Sequence, residues 1–244
     1  MSAILIFCNK RDFITEALYR ISEQSNSFRI TILSMEELMV GTGINHQFFE
    51  NGTHTTVIKR LNGEEIHPDS FDLIFNRVNQ FLIPGFFNRK DTAYASMEWL
   101  ALLTSIYYSL KKKTINFNIQ ALFNSQIVNQ ILFLDLCRKN KIRIAPLFLS
   151  GIKKQKHNYT PQKKIERMLY LKHQIAGDTA SPVKKKMIAV MEELTIDFAE
   201  IFFKDGNVIS YNPFPAYCSD NEISFILKTF TSLIQKSYAV DSRN

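Results

Sequence analysis

Apolar residues run unbroken from Ala3 to Cys8, which predicts a buried strand. Asp12 then stands where a helix cap is needed, and Phe13, Ala17, Leu18 and Ile21 follow at helical spacing. Phe28 to Leu33 reads as a second strand, Met35 to Met39 as a short helix after Ser34. Gln47–Phe49 and Thr55–Ile58 flank Asn51-Gly52, a strong hairpin signal, and Asn62-Gly63 marks another turn. Phe71 to Phe75 is a third buried strand, ending in Asn76-Arg77. Ala95, Trp99, Leu102, Leu103, Ile106 and Leu110 predict a long helix over 91–110. Ile115 to Asn118 is a short extended piece, and 125–139 is a further helix carrying Ile127, Val128, Ile131, Leu132 and Leu136. Ile142–Ile144, Pro146 and the apolar run Leu147–Leu149 follow it. Between Gly151 and Ser181 the chain becomes rich in Lys and Gln, with Pro161 and Gly177 as breakers; one helix is expected there, over 161–174. A helix over 182–194 leads into strands at 196–203 and 208–211, joined by Lys204-Asp205-Gly206-Asn207. Asn212-Pro213-Phe214-Pro215 ends the second of these, and a last helix spans 220–236. No internal repeat is visible.

The composition of the 244 residues, 45% hydrophobic and 22% charged, excludes disorder and low complexity. Three widely spaced cysteines, Cys8, Cys137 and Cys218, argue against a disulfide framework or a zinc knuckle and read as core thiols. The first apolar run is too short for a secretory signal and no segment reaches membrane-spanning length, so a cytoplasmic protein is expected. The net charge of +7 is concentrated. Residues 111–186 hold 17 Lys/Arg against three acids, with clusters at Lys111–Lys113, Lys153-Lys154-Lys156, Lys163-Lys164 and Lys184–Lys186. Such a field attracts phosphate, nucleic acid or an acidic peptide, although a set of solvated loops and helix ends carries the same charge. No aromatic-interleaved or zinc-finger pattern accompanies it, which disfavours a dedicated nucleic-acid module.

No P-loop, dinucleotide glycine pattern or nucleophile elbow is present, and the five histidines lack metal-ligand spacing. Arg77, at a strand's C-terminal end, is placed either to bind an acidic group or to pair with Asp72 or Glu98. Asp197 and Asn212 bracket the closing hairpin; chemistry alone reads Asn212-Pro213 as a turn.

Four stretches together resemble the ATP-grasp ligases, in their peptide-modifying branch: the microviridin and graspetide maturases and the ribosomal-protein glutamylating ligases. They are Phe71–Val78 (FDLIFNRV); Tyr94–Leu102 with Ile115-Asn116; Ile142–Leu149 (IRIAPLFL); and Ile196–Pro215, where a carboxylate strand is followed by Tyr211-Asn212-Pro213. The likeness covers residues 3–150 and 182–236. It implies an α/β architecture with an open-sheet, pre-ATP-grasp-like domain over 1–118. A truncated ATP-grasp remnant over 119–244 would follow, ending in an antiparallel hairpin packed by helices. The longer stretch that family members carry before the closing helix and hairpin is reduced here to Gly151–Ser181. At the closing motif the resemblance assigns metal ligation to Asp197 and Asn212, and Ser210 stands where a metal-bridging Glu belongs. One carboxylate instead of two makes a dinuclear Mg²⁺ site doubtful.

The expectation is a degenerate, non-catalytic ATP-grasp-like protein, a pseudoenzyme of peptide modification. It would bind a partner peptide ligase or an acidic precursor peptide, with Arg77, Lys153, Lys154 and Lys156 as candidate peptide contacts. No cofactor is expected unless the remnant site works, in which case Mg-ATP is. The alternatives are a residual Mg-ATP-dependent carboxylate-amine ligase and, behind it, a basic nucleic-acid binder. A homodimer is compatible with an apolar face left by the shortened core.

Overall fold

The first apolar run is β1 (Ser2–Cys8), buried at all but its first residue. Asp12 caps α1 (Phe13–Ser25) by accepting from the Thr15 amide at 2.8 Å, and Asn26 closes the helix in the left-handed region. β2 (Phe28–Ser34) follows, then α2 (Met35–Gly41), whose Glu37 amide is taken by the Ser34 hydroxyl. A three-stranded antiparallel meander comes next: β3 (Gly43–Phe48), β4 (His54–Lys59) and β5 (Glu65–Ile66). Its two turns carry Gly52 and Gly63 at positive φ, the conformation that the two Asn-Gly pairs announce. β6 (Leu73–Arg77), α3 (Arg89–Ser109) and β7 (Thr114–Ile115) continue the chain, and β2-β1-β6-β7 form one wholly parallel sheet.

The rest of the chain supplies α4 (Gln126–Lys139), β8 (Ile165–Leu171), β9 (Gln174–Ala176), α5 (Ser181–Glu193), β10 (Phe198–Lys204), β11 (Asn207–Asn212) and α6 (Asp220–Asp241). The computed structural model describes residues 1–26, 28–41, 43–79, 89–117, 126–145, 165–176 and 181–241. It divides into two units: Met1–Phe123 with Ala216–Asn244, and Asn124–Pro215.

In the first unit the parallel sheet is covered on both faces, which is why its strands read as unbroken apolar runs rather than alternating ones. On one face Phe7 meets Tyr107 of α3 edge-on, ring centroids 5.3 Å apart. On the other, Phe75 meets Phe230 of α6 at 5.4 Å. His46 ties the meander to α3: Nδ1 is 2.8 Å from Thr56 Oγ1 and Nε2 is 3.0 Å from Ser105 Oγ. Desolvation, then the nearby His54, hold its pKa below the usual histidine range.

The second unit is an antiparallel sheet in the order β11-β10-β8-β9, packed on one face by α4 and α5. Its core gathers Phe133, Met187, Val190 and Met191 from the helices with Met168, Tyr170, Ile201 and Phe203 from the sheet.

The mixed α/β architecture expected from the sequence is present. Two details differ. Where a helix is expected over 161–174, the described part, from Ile165 on, is β8 and the start of β9, joined by a tight turn at Lys172-His173. The last helix, grouped above with 119–244, belongs to the first unit, because its apolar stripe closes the second face of the parallel sheet. The run Leu147–Leu149 lies outside the described residues. Among the described residues no helix is long and apolar enough to cross a membrane.

All three cysteines are buried thiols rather than halves of a disulfide. Burial pushes the Cys8 and Cys137 thiols from 9.0 up to about 12, and the Tyr170 and Tyr211 phenols from 10.0 up to about 12. The folded state therefore holds these protons more tightly than the unfolded chain does. Their contribution to stability is complete below pH 9 and is lost as pH rises through the folded values near 12. A thiol reagent at pH 8 should leave Cys8 and Cys137 unmodified in the native protein, and a pH series of urea melts should show stability falling steadily above pH 9. Fast native-state modification at pH 8 would contradict this burial.

Candidate functional site

The antiparallel sheet of the second unit has two chemically different faces. Ala199, Ile201 and Phe203 of β10, with Met168 and Tyr170 of β8, belong to the core beneath α4 and α5. Strand side chains alternate, so Glu200 and Phe202, with Arg167 and Leu169 on β8, share the opposite face. On β11 the register slips between Phe202 and Phe203, so that Ser210 pairs with Phe202 while Val208 pairs with Phe203. This bulge absorbs Ile209, sends both Val208 and Tyr211 to the core, and leaves Ser210 and Asn212 beside Glu200.

Glu200 is the centre of that face and is 7% exposed. Its Oε1 accepts from Asn212 Nδ2 at 2.7 Å, and its Oε2 accepts from Arg167 Nη1 at 3.2 Å. Asn212 is held further by its own turn: Oδ1 accepts from the Phe214 amide at 3.0 Å and Nδ2 donates to the Phe214 carbonyl at 3.0 Å. The edge strand β11 is pinned from α4. There Gln130 Nε2 donates to the Tyr211 carbonyl at 2.6 Å, and Gln130 Oε1 accepts from the Tyr211 amide.

The residues singled out from sequence fall as follows. Asn212 sits opposite Glu200 in the ladder, not opposite Asp197. Asp197, just before β10, forms an ion pair with Lys172 at 2.7 Å, and its carbonyl accepts from the Lys172 amide at 2.8 Å. Ser210 shares the face of Asn212 and contributes a neutral hydroxyl. The carboxylate that sequence reading missed is therefore Glu200, together with its cation Arg167. Counting back from the Asp205-Gly206 turn without a bulge pairs Asn212 with Ala199, one residue off; only the bulge brings Glu200 into line.

A hard dication needs several oxygen ligands, preferably anionic. Here the Asn212 amide turns its NH₂ toward the one carboxylate, and Arg167 takes the other carboxylate oxygen. The amide cannot be reversed without facing its oxygen to Glu200 and losing the bond from the Phe214 amide. Among the described residues no group of three or more His, Cys, Asp or Glu side chains could hold a metal ion. In this arrangement the described residues around Glu200 and Asn212 do not fit a two-ion Mg²⁺ site.

Arg77 ends β6, as expected, but its partner is neither Asp72 nor Glu98. Nη2 meets Asp12 Oδ2 at 2.8 Å, and Arg77 is 2% exposed. Asp72 instead accepts from the Ala3 amide at 2.7 Å and from the Tyr238 hydroxyl. Lys153, Lys154 and Lys156 lie outside the described residues.

No family model and no curated protein sequence matches the chain. Solved structures do match, over nearly their whole length. The macrocyclase MdnB from Microcystis aeruginosa MRC superposes with a TM-score of 0.66 at 14% identity, over 96% of this chain and 99% of that one. The ligase PsnB, complexed with minimal precursor, Mg and ADP, gives 0.67 at 8% identity, over 95% and 98%. A Chryseobacterium gregarium RiPP-associated ATP-grasp ligase, in complex with ADP and a leader and core peptide, gives 0.63 at 11% identity, over 97% of each chain. The protein has the fold of these peptide-modifying ATP-grasp ligases, as the sequence resemblance implied.

Proposed function

We propose that the protein is an ATP-grasp-like component of ribosomal-peptide modification that binds a precursor peptide, or the ligase acting on it, and does not itself ligate. One observation carries the loss of ligation: Glu200 is neutralised by Arg167 and bonded to the NH₂ of Asn212, where a metal bridging ATP phosphates needs free carboxylate oxygens. The binding role draws on the fold's similarity to ligases solved with precursor peptides. It draws also on the basic stretch 111–186, which suits an acidic peptide. In this reading the antiparallel unit, Asn124–Pro215, is a remnant ATP-grasp core, the protein works in the cytoplasm, and Lys153, Lys154 and Lys156 add to the peptide-facing charge.

Titration calorimetry with Mg-ATP tests it. The wild-type protein should give no saturable heat up to millimolar nucleotide, while an acidic precursor-type peptide should bind in the same buffer. Saturable Mg-ATP binding that disappears in Glu200→Gln would overturn the non-ligating reading.

A second reading has one specific support, the complexes of PsnB with Mg and ADP. In it the protein is a residual ligase using a single Mg²⁺. The carboxylate it would employ is Glu200 rather than Asp197, because Glu200 is the one beside Asn212. Mg²⁺-dependent ATP turnover would then fail in Glu200→Gln and persist in Asp197→Ala.

A further inference from the structure

A cavity of about 300 Å³ opens on the helix side of the antiparallel sheet, across the sheet from Glu200 and Asn212. Three separate pieces of chain build it: Lys141, Ile142 and Arg143 after α4; Pro182, Val183 and Lys186 at the start of α5; and Gly206 in the β10–β11 turn. Its floor is apolar, since Ile142 is a core residue and Val183 packs against the same core. Its charge is of one sign. Among the described residues none of Lys141, Arg143 and Lys186 takes part in an ion pair. Lys186 Nζ donates to the Lys141 carbonyl at 3.3 Å, which draws that ammonium to the segment carrying Arg143.

The frame around these cations is fixed by backbone. The Arg143 carbonyl accepts from the Val208 amide at 2.9 Å, and the Ala145 amide donates to the Val208 carbonyl at 2.8 Å, so the 141–145 segment is laced to β11. Lys141 adopts φ 55, the left-handed turn that reverses the chain out of α4. Three like charges around one concavity repel one another unless an anion sits among them, and a guanidinium fork beside two ammonium groups matches a planar or tetrahedral oxyanion. The apolar floor offers cover for the carbon atoms attached to such a group.

We propose that this cavity is an oxyanion-binding site, taking a carboxylate or phosphate group through Arg143, Lys141 and Lys186. It stands apart from the Glu200 face, so it can fail while the non-ligating reading of that face stands; its three cations belong to the basic stretch 111–186 on which the acidic-peptide reading draws.

The test uses the full chain and two probes, inorganic phosphate and glutarate, titrated by calorimetry at fixed ionic strength. The variants are Arg143→Gln and Lys186→Gln, both at exposed positions, with Lys112→Gln as an exposed basic control in the other unit. At least one probe should bind saturably at one site, and each pocket variant should weaken it about tenfold while the control leaves it unchanged. Tighter glutarate assigns the site to a carboxylate-bearing ligand, and tighter phosphate to a phosphorylated one. Absence of saturable binding for both probes overturns the proposal. So does equal weakening by Lys112→Gln, which would reduce the effect to the diffuse basic field.

Discussion

Arg77→Met should destabilise the parallel-sheet unit by about 3–5 kcal/mol, the cost of stranding one member of a buried ion pair. Arg77 and Asp12 have side chains only 2% and 9% exposed, and they meet at 2.8 Å. With the guanidinium gone, the Asp12 carboxylate loses its buried counter-charge in a place that solvent barely reaches. It cannot rotate out, because Oδ1 is also the acceptor that caps α1. A rescue follows from the same geometry. Asp12→Asn keeps a capping oxygen but removes the charge, so Arg77→Met/Asp12→Asn should be more stable than Arg77→Met alone, a non-additivity that an independent pair of sites would not show. Residue-resolved hydrogen exchange of β1, β2 and β6 in urea is the right readout, since a protein of two units need not unfold in one step. A loss below about 1 kcal/mol, the range of exposed pairs, would mean that the pair is far better solvated than its burial says.

In the second unit, Phe133→Ala should cost about 3–5 kcal/mol, the usual loss for a fully buried aromatic replaced by a methyl group. Phe133 has no exposed surface and stacks obliquely on Tyr211, with centroids 4.7 Å apart. Gln130, three residues earlier on the same face of α4, holds the Tyr211 backbone. The two side chains thus grip one residue of β11 by its ring and by its peptide groups. Losing the ring contact should loosen the strand that carries Ser210 and Asn212, so exchange of the β11 amides should accelerate more than that of β8. Ile131→Ala is the control: its side chain is 63% exposed, and the change should stay within about 0.5 kcal/mol. If Ile131→Ala costs as much as Phe133→Ala, the helix packs on the sheet by a different face.

What the sequence made legible follows from range. β1, α1, the two Asn-Gly turns, α3, the β10–β11 hairpin and α6 are each set by residues within a dozen positions, and each was readable. β8 was not. Ile165, Met168 and Leu171 lie three apart and mimic a helix stripe, whereas the segment is fixed as a strand by pairing with β10, over thirty residues away. Its turn gave no warning either: Lys172 and His173 both take positive φ, at 40° and 67°, without the Gly or Asn that usually marks such a turn. The candidate site shows the same limit of range. The local Asn-Pro signal marks the turn at Asn212, and the resemblance places that residue in the closing motif. The resemblance sets Asp197 with it, and the one-residue bulge that brings Glu200 opposite Asn212 leaves no mark in composition or spacing. Arg77 was recognised by its place at a strand end. Its bond to Asp12, 65 positions away, depends on β1 and β6 being neighbours.

The division of the chain has a consequence for its synthesis. The antiparallel unit is one continuous stretch, Asn124–Pro215, and has all its strands once that stretch has left the ribosome. The parallel unit begins first and finishes last. Its sheet is translated by Ile115, yet Phe75 waits for Phe230, and until α6 emerges that ring lacks its cover. A nascent chain halted between Pro215 and Phe230 would carry one finished unit and one parallel sheet whose Phe75 face still lacks α6.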